Sequence, residues 1–192
     1  MRSISFAHLV LAGAVAFAVG SATACSDATG LLPPAYANVV DTVTLAALRD
    51  TPVPIPSAYD IVFASRARTD LGEPFDFAFD IDSAGSPVIV PAGLLGFQLE
   101  AAWRRSNREF AQITSASTED YTPDERLTVA VGDVFLARSR NSSSGCVYLG
   151  SLPRYGKFRV LDLNVEERSI TLETLVDVNC GYRGIEPGFP SS

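Results

Sequence analysis

The sequence is short of the side chains on which most enzymes and cofactor proteins rely. Its 192 residues hold one histidine, His8, one methionine, Met1, and one lysine, Lys157. His8 and Met1 both lie in the first 24 residues, inside a segment with the grammar of a cleaved export signal. The processed chain therefore has no imidazole, which excludes Ser-His-Asp and Cys-His nucleophiles, histidine zinc sites and His or Met haem ligation. Cysteine is scarce too: Cys25, Cys146 and Cys180 lie far apart, and no CxxC spacing supports a redox-active pair. Positive charge is in short supply. Beyond residue 25, fourteen basic side chains face twenty-two acidic ones, a net charge of −8. An acidic surface repels phosphate backbones, so nucleic acid is not the expected partner. The one long apolar stretch, residues 6–19 (FAHLVLAGAVAFAV), makes about 21 Å of helix at ~1.5 Å per residue. A bilayer core needs roughly 30 Å.

What is present at the N-terminus is an address. Arg2 supplies a positive start, residues 6–19 an apolar core, and Gly20, Ser21, Ala22, Thr23 and Ala24 a small-residue approach to Cys25. Ala22-Thr23-Ala24 satisfies the small-x-small rule of ordinary signal peptidase. The same residues followed by Cys25 resemble a lipobox, the bacterial lipoprotein signal, although Ala22 stands where leucine is usual. Cysteine arithmetic favours the second reading. An odd thiol is a liability in an oxidising compartment, and lipid on Cys25 leaves Cys146 and Cys180 to pair. In the lipoprotein pattern aspartate after the cysteine retains the protein at the inner membrane. Ser26 at that position implies outer-membrane sorting. The expected organisation is a signal peptide over 1–24, a lipidated tether over 25–38 with Gly30 and Pro33-Pro34, and one domain over 39–192.

Within that domain the dominant period is two. Residues 75–82 (FDFAFDID) put Phe75, Phe77, Phe79 and Ile81 on one face and Asp76, Ala78, Asp80 and Asp82 on the other, the pattern of a half-buried strand with a wet side. A turn over 83–86 returns the chain along 87–90. Residues 158–163 and 170–178 form a second predicted hairpin. Further strands are expected over 39–48, 61–64, 96–103, 127–131 and 134–138. Residues 104–113 can carry a helical turn or two, and 43–49 fits helix or strand. Short strands separated by Gly, Pro and Ser predict an all-β domain, an antiparallel β-sandwich or open barrel.

Candidate chemistry is sparse. Cys146 and Cys180 are 34 positions apart, so a structural disulfide between them would stabilise the fold by roughly 3–4 kcal/mol. Asp80, Asp82 and Gly85 begin like a calcium loop, but Ala84 and Pro91 replace two required ligands. No metal or cofactor is expected. A pair of carboxylates for glycoside hydrolysis needs no motif, and nothing singles one out. Trp103, Arg104, Arg105 and Arg108 fit a cation–π or anion-binding patch, although most such clusters are solvated loops beside a core tryptophan. Arg138 and Arg140, with Arg154, Lys157 and Arg159, are expected to form a solvated basic face.

The stretch from Val134 to Val178, with Tyr155-Gly156-Lys157 before a strand and Tyr59-Asp60 earlier, resembles the HmuY-type lipoproteins. The resemblance implies an exported all-β protein at the outer membrane. That family holds haem through histidines, which the processed chain lacks, so haem does not carry over. The expected function is a lipid-anchored, non-enzymatic binding or structural module of the cell envelope. Its partners would be the membrane, through the lipid, and a protein or small ligand. The alternatives are a carboxylate-dependent envelope enzyme and a haem or small-ligand carrier.

Overall fold

The computed structural model describes residues 31–97, 100–146 and 149–191. Among them regular structure is antiparallel strand plus three short 3-10 turns, and no helix is long and apolar enough to cross a membrane. The first sheet contains β1 (Val40–Ala46), β6 (Ala102–Ser106), β8 (Val134–Arg138), β9 (Tyr155–Asn164) and β10 (Ser169–Asp177), in the order β1-β10-β9-β8-β6. The second contains β2 (Ala58–Asp60), β3 (Ser65–Ala67), β4 (Phe77–Ile81), β5 (Pro87–Pro91) and β7 (Leu127–Thr128), in the order β3-β2-β4-β5-β7. Both sheets stay open, so the architecture is a sandwich and not a closed barrel.

Alternation in the sequence builds the layer between the sheets. Leu45, Ile170, Leu172, Phe158, Phe135 and Ala137 come from the first sheet; Tyr59, Phe77, Phe79, Ile81 and Ile89 come from the second. Phe135 stacks on Phe158 with ring centroids 5.1 Å apart, and Phe77 meets Phe158 edge-on at the same distance. Such aromatic pairs add specific geometry to a large buried apolar area.

The outer faces are covered as well. Residues 110–116 and Ile185 lie over Val134, Leu136, Tyr155 and Leu175 of the first sheet. Phe75 and Ala92 close on Ala58, Ala67 and Ala78 of the second. Strands buried on both faces lose the wet side that period-two alternation implies. The expected solvent face of residues 75–82 is therefore corrected: Asp76 and Asp80 are buried and held by arginines.

Local chemistry fixes the turns. In the β4–β5 hairpin, Asp82 Oδ1 accepts from the amides of Ala84 (2.8 Å) and Ser86 (2.9 Å), and Gly85 takes φ 82°. The aspartate that began a calcium-like pattern is a turn former. In the β9–β10 hairpin a bulge lies between Thr171 and Leu172, opposite Leu161. The extra residue shifts the alternation, so Phe158, Val160 and, beyond the bulge, Leu163 all face the core.

Other expectations change with these contacts. Residues 61–64 form the turn between β2 and β3, and Ala64 has φ 49°. The strand expected at 96–103 begins only at Ala102, after a 3-10 turn over Ala92–Leu95. The helical turns expected over 104–113 reduce to Phe110–Gln112, because residues 102–106 pair with β8.

Candidate functional site

Cys25, the expected lipidation site, lies outside the described residues. Cys146 and Cys180 stand at disulfide distance, with sulfurs 2.02 Å and Cα atoms 5.1 Å apart. Beneath them lies Arg154, only 2% exposed, which the sequence places on a solvated face. Its Nε donates to the Val178 carbonyl (2.8 Å), and Nη1 and Nη2 donate to the carbonyls of Leu152 and Ser144. One guanidinium thus ties the loop bearing Cys146 to the end of β10, the two segments that the sulfurs join. Next to it, fully buried Asp177 accepts from the backbone and side-chain amides of Asn179 at 2.9 and 2.8 Å. Its other oxygen finds no donor among the described residues. Burial accordingly pushes the Asp177 carboxyl up to about 6, against the pull of Asn179 and Arg154.

Lys157 departs from the solvated face in the same way. It is buried under the 110–116 segment, where Nζ donates to the carbonyls of Phe110 (2.9 Å) and Ile113 (2.8 Å) and lies 4.5 Å from the centre of the Phe110 ring. Burial lowers its pKa, while Glu173 and Glu186 oppose the shift. The ammonium is a brace for the segment that covers the first sheet. Tyr155, two residues before it on β9, is buried too, at 6.0 Å from the Tyr121 ring.

The closest set of carboxylates joins the two sheets. Asp60 Oδ2 accepts from Arg140 Nη2 at 2.9 Å, and Asp76 Oδ1 lies 3.1 Å from Arg140 Nη1. Asp76 also accepts from the amides of Ile61 and Arg140, each at 2.7 Å. Asp60 accepts from the Val62 amide at 2.8 Å. Burial raises the Asp76 carboxyl to about 6, and Asp60 adds to that rise; Arg140 and the two amides hold it down. Every oxygen in this trio is engaged by guanidinium or backbone, so the arrangement is an inter-sheet cross-brace. The sequence singles out Asp60, Asp76 and Arg140 separately but not their meeting, with Asp76 and Arg140 64 positions apart. No local signal could have joined them.

The remaining constellation is a surface groove of about 380 Å³ beside edge strand β6. Arg104, Ser106, Asn107 and Arg108 form one wall, and Ser115 and Ser117 the other. Leu136 and Ile113 also line it. Arg104 and Ser106 share the outer face of β6, opposite Leu136 and Val134 of β8. Arg105 also lines the groove, but its guanidinium is committed: Nη1 pairs with Asp133 at 2.7 Å and Nη2 donates to the Thr128 carbonyl across the edge of the second sheet. Arg104 has only Asp120, 3.8 Å away on a carboxylate that is 76% exposed. Arg108 donates to the Gln112 carbonyl and keeps its other N–H groups. Trp103 is partly buried against the core, and its indole donates to the Glu125 carbonyl at 2.7 Å. No three acidic or cysteine side chains among the described residues stand close enough together to hold a metal ion.

The fold thus defines an open antiparallel sandwich with both sheets covered on their outer faces. No family model matches the chain, and no curated protein or solved structure matches it.

Proposed function

We propose that this protein is an exported lipoprotein of a bacterial cell envelope, anchored through lipid on Cys25, with the sandwich serving as a non-enzymatic binding or structural module. One observation carries the reading. Cys146 and Cys180 stand at disulfide distance, and Cys25, directly after Ala22-Thr23-Ala24, is the one thiol left over. A lipid thioether removes the odd thiol that an oxidising compartment would otherwise leave reactive. Acyl chains contribute ~0.8 kcal/mol per buried methylene, so two or more anchor the chain firmly. Ser26 after Cys25 points to the outer membrane as the destination.

The last residues of the expected tether support an anchored arrangement. Asn179, adjacent to Cys180, accepts from the amides of Ala35 (2.8 Å) and Tyr36 (3.0 Å) and donates to the Tyr36 carbonyl. Asn38 exchanges two backbone hydrogen bonds with Gly188. Residues 35–38 are thus strapped to the C-terminal segment before β1 begins, and a pull on Cys25 is taken up there. Cells grown with radioactive palmitate test the anchor. The chain takes up label and fractionates with membrane, while Cys25→Ala abolishes both; an unlabelled chain recovered in soluble extract refutes it.

A further inference from the structure

The groove beside β6 is a concavity where arginines meet uncharged polar side chains and no carboxylate. Its volume, about 380 Å³, falls within the ~300–1,000 Å³ of ligand clefts. Three arginines line it, and two of them, Arg104 and Arg108, keep most of their donors uncommitted. Arg104 is opposed only by a distant, solvent-bathed Asp120, and Arg108 is steadied by the Gln112 carbonyl without a carboxylate partner. Between them stand the hydroxyls of Ser106, Ser115 and Ser117 and the amide of Asn107, and no carboxylate side chain lines the groove. In a chain whose acidic residues outnumber its basic ones by seven, that local inversion of charge is informative.

The walls are also well fixed. Ser106 belongs to β6, paired with Val134. Ser115 bridges to Gly184, and the amide of Ala116 donates to the Arg183 carbonyl at 2.9 Å. Lys157 holds the 110–113 turn from below through two carbonyls. Donors set on braced backbone lose little freedom on meeting a ligand.

We infer that this groove binds a small anionic saccharide: a polyhydroxylated ring whose phosphate or carboxylate is taken by Arg104 and Arg108, and whose hydroxyls meet Ser106, Asn107, Ser115 and Ser117. Guanidinium forks match the planar geometry of carboxylate and the oxygens of phosphate, and serine and asparagine supply both donors and acceptors for ring hydroxyls. The inference rests on reading the sandwich as a binding module and gives that module a ligand class.

Calorimetric titration of the full chain, purified in mild detergent, tests it with four probes: glucose 6-phosphate, glucuronate, inorganic phosphate and glucose. Glucose 6-phosphate or glucuronate binds at least about tenfold more tightly than either phosphate or glucose. Arg104→Ala and Arg108→Ala each weaken that binding about tenfold or more, with unchanged thermal melting, and Ser117→Ala narrows the gap to inorganic phosphate. Phosphate binding as tightly as the sugar phosphate overturns the saccharide assignment. So does failure of every probe to bind below about 10 mM, or binding indifferent to the arginine substitutions. Palmitate labelling of the unsubstituted chain separates the two readings. Absence of groove binding in labelled protein overturns only the ligand, and groove binding by unlabelled protein overturns only the anchor.

Discussion

Lys157 is the chain's one lysine, and its ammonium is spent on the carbonyls of Phe110 and Ile113 under the Phe110 ring. An amine-reactive N-hydroxysuccinimide ester should leave it unmodified in the native protein and modify it after denaturation. Modification at the native rate of an exposed lysine would contradict the packing described. Arg140 has a different role, reaching from the end of β8 in the first sheet to two buried carboxylates of the second. Removing the cation leaves Asp60 and Asp76 uncompensated, so Arg140→Ala should cost about 3–5 kcal/mol in denaturant unfolding. The loss has a pH signature. Burial already holds Asp76 near 6, above its unfolded value, and Arg140 is among the groups keeping it from rising further. In the variant the folded state gains protons relative to the unfolded one, and stability falls more steeply as pH rises towards neutrality. A loss equal at pH 5 and pH 8 would contradict this. Asp177 works in the same direction alone. With a folded pKa of about 6 against 3.8 unfolded, its ionisation subtracts stability as pH rises through that window, on the order of 2 kcal/mol. Asp177→Asn should remove that slope between about pH 4 and 6 in a thermal-melt series; an unchanged slope would place the titration elsewhere. None of these roles was legible in sequence. Lysine and arginine between strands look like a solvated face because burial of their tips depends on segments 40 or more positions away.

At the scale of elements the sequence was more informative, and its failures have local causes. The β4–β5 hairpin follows from FDFAFDID and the SAGS turn, since alternation and turn chemistry agree there. Sidedness failed because Phe75 and Ala92 cover the second sheet, turning an Asp face into an interior one. The β9–β10 pairing was visible, but not the bulge that carries the core pattern from Val160 to Leu163. Between 96 and 106 apolar content misplaced β6: the Ala92–Leu95 turn precedes that run, and pairing with β8 starts only at Ala102. The cysteine pair was accessible through counting alone; Arg154 beneath it was not. Reduction should lower unfolding stability by about 3–4 kcal/mol in urea titration, as freeing a loop of this length predicts. No change on reduction would mean that Arg154 and its carbonyls hold the two segments unaided.

For the whole molecule, residues 35–38 run against Asn179 and Gly188, so the chain enters β1 from beside Cys180. The groove of Arg104 and Arg108 lies elsewhere, at the β6 edge of the first sheet, whereas β1 forms the opposite edge. The proposed address rests on absences: no histidine beyond His8, an odd cysteine, and an apolar stretch too short to span. The groove needed the fold, because its two walls come from residues on either side of the Phe110–Gln112 turn. The account stands most directly on the fate of three sulfurs, and the intact mass of protein extracted from membranes reads all three at once. It predicts a polypeptide beginning at Cys25, heavier by covalently attached acyl lipid and lighter by two hydrogens. A mass matching the bare polypeptide with its downstream thiols free would contradict it.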